Sequence, residues 1–176
     1  MYYLKHLPWS RFSRRVGFER TSVHERYDYA LSFAGSARRI AELLKSALAE
    51  REIQVFYDMD EQHALLGNNV EEYLARVYQR DSSFVVCILS RDYPVRVWTN
   101  FEAAAFKERI GQNSVIPVLC SDATIMPTDA LSTIGRLSID MTIELDPQIE
   151  AISDVLSRHI MQHRADQATK TEDEAD

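Results

Sequence analysis

Between about residue 27 and residue 163, short apolar runs alternate along the chain with stretches of helical periodicity. Five of the runs have the length and the β-branched and aromatic content of strands. They are YDYALSF (27–33), IQVFYD (53–58), SFVVCILS (83–90), SVIPVLC (114–120) and GRLSIDM (135–141). The third run is apolar at every position between its terminal serines, which indicates a strand that is covered on both faces.

The segments between these runs have the spacing of amphipathic helices. In SARRIAELLKSALAE (36–50), one helical face is apolar and Ser36 is a predicted N-cap. That face carries Ile40, Leu43, Leu44, Ala47 and Leu48. Further helices are predicted over VEEYLARVYQR (70–80), over VWTNFEAAAFKERI (97–110) and from about Pro147 to His163. A polar loop, MDEQHALLGNN (59–69), follows the second strand.

Strands and helices that alternate in this way predict an α/β fold with a parallel sheet, because parallel neighbours need crossover connections. We expect a flavodoxin-like, open, five-stranded sheet of order 2-1-3-4-5 with helices on both faces. In such a sheet, ligands bind outside the carboxyl ends of the strands, near the switch point between strands one and three. The turns that begin at Phe33, Asp58 and Ser90 are therefore the expected binding region.

The 176 residues are enough for one domain with a sizeable core, which we place at 27–163. Residues 1–26 form a basic, aromatic extension that holds six Lys or Arg against two Glu. This extension could contact an anionic membrane or a partner, or it could fold over its own domain. The end of the chain, 164–176, is acidic and has no large apolar residue, so we expect a disordered tail.

Charge and composition exclude several classes of protein. The net charge of −7 disfavours non-specific nucleic-acid binding, because phosphate contacts need clustered Lys and Arg. No stretch approaches the ~20 apolar residues that span a bilayer, and the amino terminus lacks the apolar segment of a signal peptide. A cytoplasmic location is the resulting prediction. Cys87 and Cys120 lie in apolar runs and are expected to be small core residues without a metal or redox role.

Familiar catalytic motifs are absent from the sequence. Strand one is followed by a single glycine, in SFAGSARR, so neither a dinucleotide fingerprint nor a phosphate-binding P-loop is available. The ends of strands one and three lack the acidic cluster of a phosphate-accepting receiver. His159 and His163 have a spacing that could hold a metal, but no acidic residue intervenes. We therefore predict a solvated helix end there and no metal site.

One carboxylate occupies an unusual position. Trp98 and Glu102 are four residues apart in the predicted helix 97–110, so they are neighbours on its surface. A glutamate on a helix is commonly a solvated surface charge. This helix, however, leaves the carboxyl end of the third strand, where function is expected. Glu102 is therefore a candidate functional residue.

Several segments together resemble the TIR (Toll/interleukin-1 receptor and resistance-protein) domain over about residues 26–163. YDYALSFAG resembles the first box of the family, and VFYD followed by LLGNN resembles its second strand and BB loop. VWTNFE resembles the W-x-x-x-E segment of the third helix. The turn after SFAG departs from the acidic or arginine-bearing turn of many relatives.

The resemblance implies an activity and a set of site residues. In enzymatic TIR domains, the glutamate of W-x-x-x-E cleaves NAD at its nicotinamide–ribose bond, and Glu102 corresponds to it. NAD is then a substrate and not a cofactor. Further side chains are implied to line the path of the nucleotide. They are Phe33, Ala34, Asp58, Leu66 and Trp98.

The resemblance also implies partners. Standalone TIR enzymes occur in bacterial anti-phage systems such as Thoeris, where a phage-derived trigger leads to a cyclic or conjugated ADP-ribose that activates a separate effector. We expect no second domain beside the TIR unit, and the standalone anti-phage enzymes are therefore the expected class. TIR domains also self-associate through TIR–TIR contacts. The alternatives are a glycohydrolase that depletes NAD and a non-catalytic TIR scaffold.

Overall fold

The computed structural model describes residues 26–58, 60, 70–93, 109, 112, 114–123 and 134–173. The described strands are β1 (Tyr27–Phe33), β2 (Val55–Phe56), β3 (Ser82–Leu89), β4 (Val115–Cys120) and β5 (Leu137–Ile139). The described helices of seven residues or more are α1 (Arg38–Ala49), α2 (Val70–Arg76) and α3 (Leu145–Asp173). A 3-10 turn (Gly35–Ala37) precedes α1, and a π-helical turn (Val77–Asp81) links α2 to β3.

The five strands form one sheet of order β2-β1-β3-β4-β5, in which every neighbouring pair is parallel. The predicted strand order and fold class are therefore confirmed. At the centre of the sheet, β1 pairs with β3 from Tyr27 opposite Ser82 to Phe33 opposite Ile88. Both strands thus end together, and their carboxyl ends form the switch point.

Alternate side chains of the central strands pack on opposite faces of the sheet, as the period of two requires. On one face, Tyr29 and Leu31 of β1 join a core with residues of α1 and α3. On the other face, Ala30 packs with α2 and the π-helical turn, and Val85 and Cys87 of β3 form a further cluster. Helices cover both faces, which explains the continuous apolar run of β3.

The predictions for β2 and for the N-cap of α1 differ from the structure. Strand pairing of β2 covers only Val55 and Phe56, whereas the pattern predicted 53–58, because an edge strand has one neighbour and Tyr57 leaves the ladder. Ser36 is not the N-cap of α1: the capping position is Ala37, and no side chain caps it. The 3-10 turn separates Ser36 from the α-helix, and its hydroxyl bonds elsewhere.

The last helix extends further than predicted. We expected residues 164–176 to be disordered, but α3 continues to Asp173. Six of the ten added residues, 164–173, are Arg, Ala, Gln, Lys or Glu, which favour helix without needing a packed face. Arg164 also donates to Asp28 at 2.6 Å, and Gln162 donates to Asp166 at 2.7 Å. Local helix propensity and these contacts therefore stabilise the added segment, although it lacks the apolar periodicity from which the helix was predicted.

The two cysteines are buried and free, as the sequence predicted. Burial raises the pKa of the Cys87 thiol far above its ordinary value. Burial, with the nearby charge of Asp122, raises the pKa of Cys120 to about 11. Both thiols therefore remain protonated near neutral pH and act as small apolar residues. No helix in the described part of the chain has the length and hydropathy needed to cross a membrane.

Candidate active site

The turns after β1 and β3 meet at the carboxyl edge of the sheet. The Oγ atoms of Ser36 and Ser90 lie 2.9 Å apart and form a hydrogen bond between the two turns. Below them, the Ser32 Oγ and the Tyr93 hydroxyl lie 2.8 Å apart and link the same two segments. This pair of bonds fixes the geometry of the switch point, where a ligand is expected in this fold.

An aromatic pair lies at the ends of β1 and β2. The Phe33 ring stacks on the Tyr57 ring with a centroid separation of 5.5 Å and an interplanar angle of 15°. The guanidinium carbon of Arg38 is 5.9 Å from the Phe33 centroid, within the range of a cation–π contact. Arg38 is the first residue of α1, so the positive end of that helix points to the same edge. The edge therefore combines a buried aromatic pair with the positive end of a helix and a nearby guanidinium.

Tyr57 is held from the side of α1. Its hydroxyl donates to Glu42 Oε1 at 3.3 Å, and burial followed by the charge of Glu42 raises its pKa. The Lys45 ammonium lies 6.0 Å from the Tyr57 ring and forms a 2.6 Å ion pair with Asp60. The Tyr57 side chain is therefore neutral at ordinary pH and is held in place beside Phe33.

Ala34 and Asp58 flank this aromatic pair in the chain. Ala34 has extended backbone geometry, accepts the Ala37 N–H at 2.9 Å and packs against the cluster beneath β3. Asp58 is half-buried, and its charge adds to burial in raising the pKa of Tyr78. The Tyr78 hydroxyl donates to the Leu31 carbonyl at 3.1 Å. Asp58 therefore lies close enough to Tyr78 for its charge to act on that hydroxyl.

The structure places three of the six predicted site residues at the carboxyl edge of the sheet. They are Phe33, Ala34 and Asp58. Glu102, Trp98 and Leu66 lie outside the described residues, so their roles stay predictions.

Sequence reasoning did not assign Tyr57 or Arg38 to the site. Tyr57 could have been found from its place directly before Asp58 at a strand end. Arg38 carries no comparable signal, because its position over Phe33 depends on the 3-10 turn that precedes α1.

The opposite, amino edge of the sheet contains a buried arginine. Arg109 is 7% exposed and donates from Nε to Ser114 Oγ at 3.2 Å. Its Nη2 donates to the Ser82 and Ser83 carbonyls at 2.6 and 2.7 Å, and its Nη1 donates to the Tyr78 carbonyl. A cavity of about 440 Å³ borders this arginine. That cavity lies at the far end of the sheet from the predicted nucleotide path.

The helical histidines are partly solvated, as the sequence predicted: His159 is exposed and His163 is half-buried. The rings of His159 and His163 contact Phe84 edge to face, with centroid separations of 4.4 and 4.8 Å. His159 Nδ1 also lies 3.0 Å from the Tyr29 hydroxyl. Burial and the neighbouring His163 lower the pKa of His159. Among the residues that the structure describes, no group of three or more His, Cys, Asp or Glu is arranged to hold a metal.

The sheet topology defines a doubly wound α/β protein, a fold in which ligands are expected at the switch point between β1 and β3. A solved diflavin flavoprotein A3 from Nostoc sp. superimposes with a TM-score of 0.51 and 14% identity, over 82% of this chain and 99% of that one. This likeness concerns the fold alone. The TIR domain family model matches residues 30–156, and the chain belongs to the TIR domain family.

A relative of described activity supports the same family. The chain is 35% identical over 117 residues to the 3′ cyclic ADP-D-ribose synthase AaTIR of Aquimarina amphilecti. The alignment covers 65% of this chain but only 35% of the length of that protein. The matched part of AaTIR is thus about a third of the whole enzyme.

Proposed function

We propose that this TIR domain cleaves NAD at the nicotinamide–ribose bond and releases a cyclic or conjugated ADP-ribose. The observation that carries the proposal is the stacked Phe33–Tyr57 pair with Arg38 beside it at the switch point. The sequence similarity of the chain to a cyclic ADP-ribose synthase supports NAD, rather than another nucleotide, as the substrate. NAD is a substrate in this proposal, and no resident cofactor takes part.

In this proposal, described residues contact each part of a dinucleotide. A base or the nicotinamide ring contacts the 8% of Phe33 that is exposed. Base–aromatic stacking contributes about 1–3 kcal/mol per base in nucleic-acid complexes. Arg38 and the amino end of α1 supply positive potential for the diphosphate. Asp58, two residues after β2, would approach ribose hydroxyls in this proposal. These contacts would orient the scissile bond toward the third strand end.

Glu102 supplies the chemistry in this proposal. Nicotinamide leaves as a neutral molecule, so its departure needs no general acid. The ribose carbon becomes positively charged as the bond to nitrogen breaks, and a nearby carboxylate stabilises that oxocarbenium-like state. The electron pair of the broken bond returns to the nicotinamide ring. A nucleophile then attacks the ribose carbon, and the nature of that nucleophile decides the product.

We also propose the biological role that the sequence suggested. The product is a signal in bacterial anti-phage defence, made after a phage-derived trigger and received by a separate effector protein. Activity requires self-association of TIR domains through the segment 59–69, which combines a polar start with Leu65, Leu66 and Gly67. The protein acts in the cytoplasm, where NAD is available.

Mass spectrometry of NAD incubated with the concentrated, purified protein tests the proposal. A cyclised or conjugated ADP-ribose together with free nicotinamide is the expected result. ADP-ribose as the sole product would favour an NAD-depleting glycohydrolase. If NAD stays intact under all conditions of assembly, the remaining alternative is a non-catalytic TIR scaffold.

A matched pair of variants assigns any cleavage to the candidate carboxylate. Glu102→Gln and Glu108→Gln each remove one negative charge from the same predicted helix. Positions 102 and 108 face different directions on a helix, because six residues correspond to about 240° of rotation. Loss of cleavage in Glu102→Gln but not in Glu108→Gln is expected. Equal losses in both variants would point to a contaminating activity or to a general charge effect.

A further inference from the structure

We propose that the cavity at the amino edge of the sheet is a binding site for a small molecule that carries a phosphate group. The cavity has a volume of about 440 Å³, within the ~300–1,000 Å³ range of small-molecule sites. It lies at the far end of the sheet from the predicted nucleotide path, so this site is separate from the proposed NAD cleavage. Its described lining includes two arginines and two histidines. They are Arg80, Arg109, His159 and His163.

Polar groups reach the cavity from several segments of the chain. Arg80 belongs to the π-helical turn before β3, Arg109 precedes β4, and the two histidines belong to α3. Amide and hydroxyl groups are added by Gln79, Ser83 and Gln112. A phosphate monoester presents three strong acceptor oxygens in a tetrahedral arrangement, whereas a carboxylate presents two oxygens in one plane. Polar groups on several sides of the cavity therefore favour a phosphate.

The charges around the cavity favour an anion. None of the described residues that line it is Asp or Glu. Two acidic residues of the adjoining segments pair with arginines that do not line the cavity: Asp81 accepts from Arg76 at 3.1 Å, and Asp28 accepts from Arg164 at 2.6 Å. Arg109 is 7% exposed, so solvent screens its charge less than that of a surface arginine. The lining therefore attracts negative charge.

Hydrogen bonds define the tautomers of the two histidines. The Tyr29 hydroxyl donates its only proton to the Leu156 carbonyl at 2.8 Å, so it accepts from His159 Nδ1, which is 3.0 Å away. His163 Nε2 accepts from the Gln167 amide nitrogen at 3.1 Å. Each neutral ring thus carries its proton on Nδ1, and protonation of His159 adds an N–H at Nε2. An anion in the cavity stabilises that protonated ring, so its binding is coupled to proton uptake.

The groups that face His159 leave the histidines as the source of any pH dependence near neutral pH. These groups are Tyr29 of β1, His163 of α3 and the two arginines of the cavity. Arginine stays protonated in proteins. Burial, followed by the charge of Asp28, raises the pKa of Tyr29, so its hydroxyl stays neutral.

The test measures sulfate binding to the full chain by titration calorimetry, with ionic strength held constant by chloride. Sulfate stands in for phosphate because it remains a dianion throughout the range in which histidine titrates. The variants are Arg80→Gln and a matched control, Arg158→Gln, and each removes one positive charge. Both arginines are exposed, and Arg158 directly precedes His159 in the chain but does not line the cavity.

We expect saturable binding, with dissociation constants of the wild type and Arg158→Gln within about twofold of each other. Arg80→Gln should raise the dissociation constant at least about tenfold, because the loss of a hydrogen bond between charged groups corresponds to at least that factor. Its thermal midpoint in chloride should match that of Arg158→Gln. Equal weakening in both variants would show a general effect of surface charge and would overturn the proposal, as would the absence of saturable binding.

Histidine NMR resonances locate the bound anion. The chain has five histidines, and the variants His159→Gln and His163→Gln assign the two that line the cavity. Sulfate should shift the ring resonances of both and raise the pKa of His159. Binding should also tighten as the pH falls through the histidine range. A response confined to the other three histidines, or a response of none, contradicts the placement of the site.

Further ligands distinguish the source of the phosphate. Glycerol phosphate that binds more tightly than inorganic phosphate would indicate an organic ligand, and equal binding would show that the phosphate group alone is recognised. Both results support the site. Citrate that binds more tightly than either would overturn phosphate as the ligand class. NAD cleavage enters none of these measurements, so a failure of the proposed function leaves their outcome unchanged.

Discussion

Replacing Phe33 by leucine tests whether its ring controls the product of the reaction. Leucine keeps an apolar side chain at the end of β1 but removes the stack on Tyr57 and the contact with Arg38. We expect an adenine folded back over the ribose to depend on this ring, since it would exclude water from the ribose carbon. Without the ring, hydrolysis gains on cyclisation, and the output shifts toward plain ADP-ribose.

The structure gives the expected loss of stability in Phe33→Leu and provides a control variant, Tyr27→Leu. Tyr27, at the other end of β1, is also 8% exposed, pairs with Phe56 at 5.3 Å and lies under Arg26 at 5.1 Å. An aromatic pair contributes about 0.5–1.5 kcal/mol and a cation–π contact about 0.5–1 kcal/mol. Tyr27→Leu and Phe33→Leu should therefore each lower the free energy of unfolding by about 1–2.5 kcal/mol. Their thermal midpoints should fall by similar amounts.

The ratio of cyclised to hydrolysed product distinguishes Phe33→Leu from Tyr27→Leu. Loss of a stacking contribution of about 1–3 kcal/mol changes a partition ratio by roughly fivefold or more, at 1.36 kcal/mol per factor of ten. Mass spectrometry of the NAD products should show this shift for Phe33→Leu and an unchanged ratio for Tyr27→Leu. An unchanged ratio in Phe33→Leu, or an equal shift in both variants, would refute the reasoning.

Four further outcomes are expected. Glu102→Gln should keep the fold while NAD cleavage falls by at least about a hundredfold, or ~2.7 kcal/mol of transition-state stabilisation, and near-normal turnover would contradict the assignment. Leu66→Asp should abolish the dependence of specific activity on protein concentration with an unchanged thermal midpoint; an unfolded variant would show that this side chain is core. Cys87 and Cys120 should react with a thiol reagent only on unfolding, because burial raises both pKa values, and rapid labelling of the native protein would contradict this. Burial lowers the pKa of His159, so the unfolded chain binds more protons than the folded chain below about pH 6.5, and stability falls on acidification. His159→Gln should reduce the change of the thermal midpoint with pH between about pH 5 and 7. An unchanged slope of the midpoint against pH would exclude that group.

The sequence determined the architecture of this domain. The bounds of β1 agree with its pattern at both ends, and the uninterrupted apolar run of β3 predicted a central strand buried on both faces. Strand–helix alternation then gave the parallel sheet and its order, because few topologies satisfy right-handed crossovers. These features depend on local periodicity, and a linear sequence displays local periodicity directly.

The tertiary structure alone decided how side chains from distant segments meet. The pattern placed Phe33 and Asp58 at strand ends, but the stack of Phe33 on Tyr57 depends on how β2 leaves the ladder. Arg109 lies next to the last residue of the predicted helix 97–110, and its burial against carbonyls of other segments depends on strand register. Hydrogen bonds of this kind join residues about thirty positions apart, and their energy depends on distances that no local pattern contains.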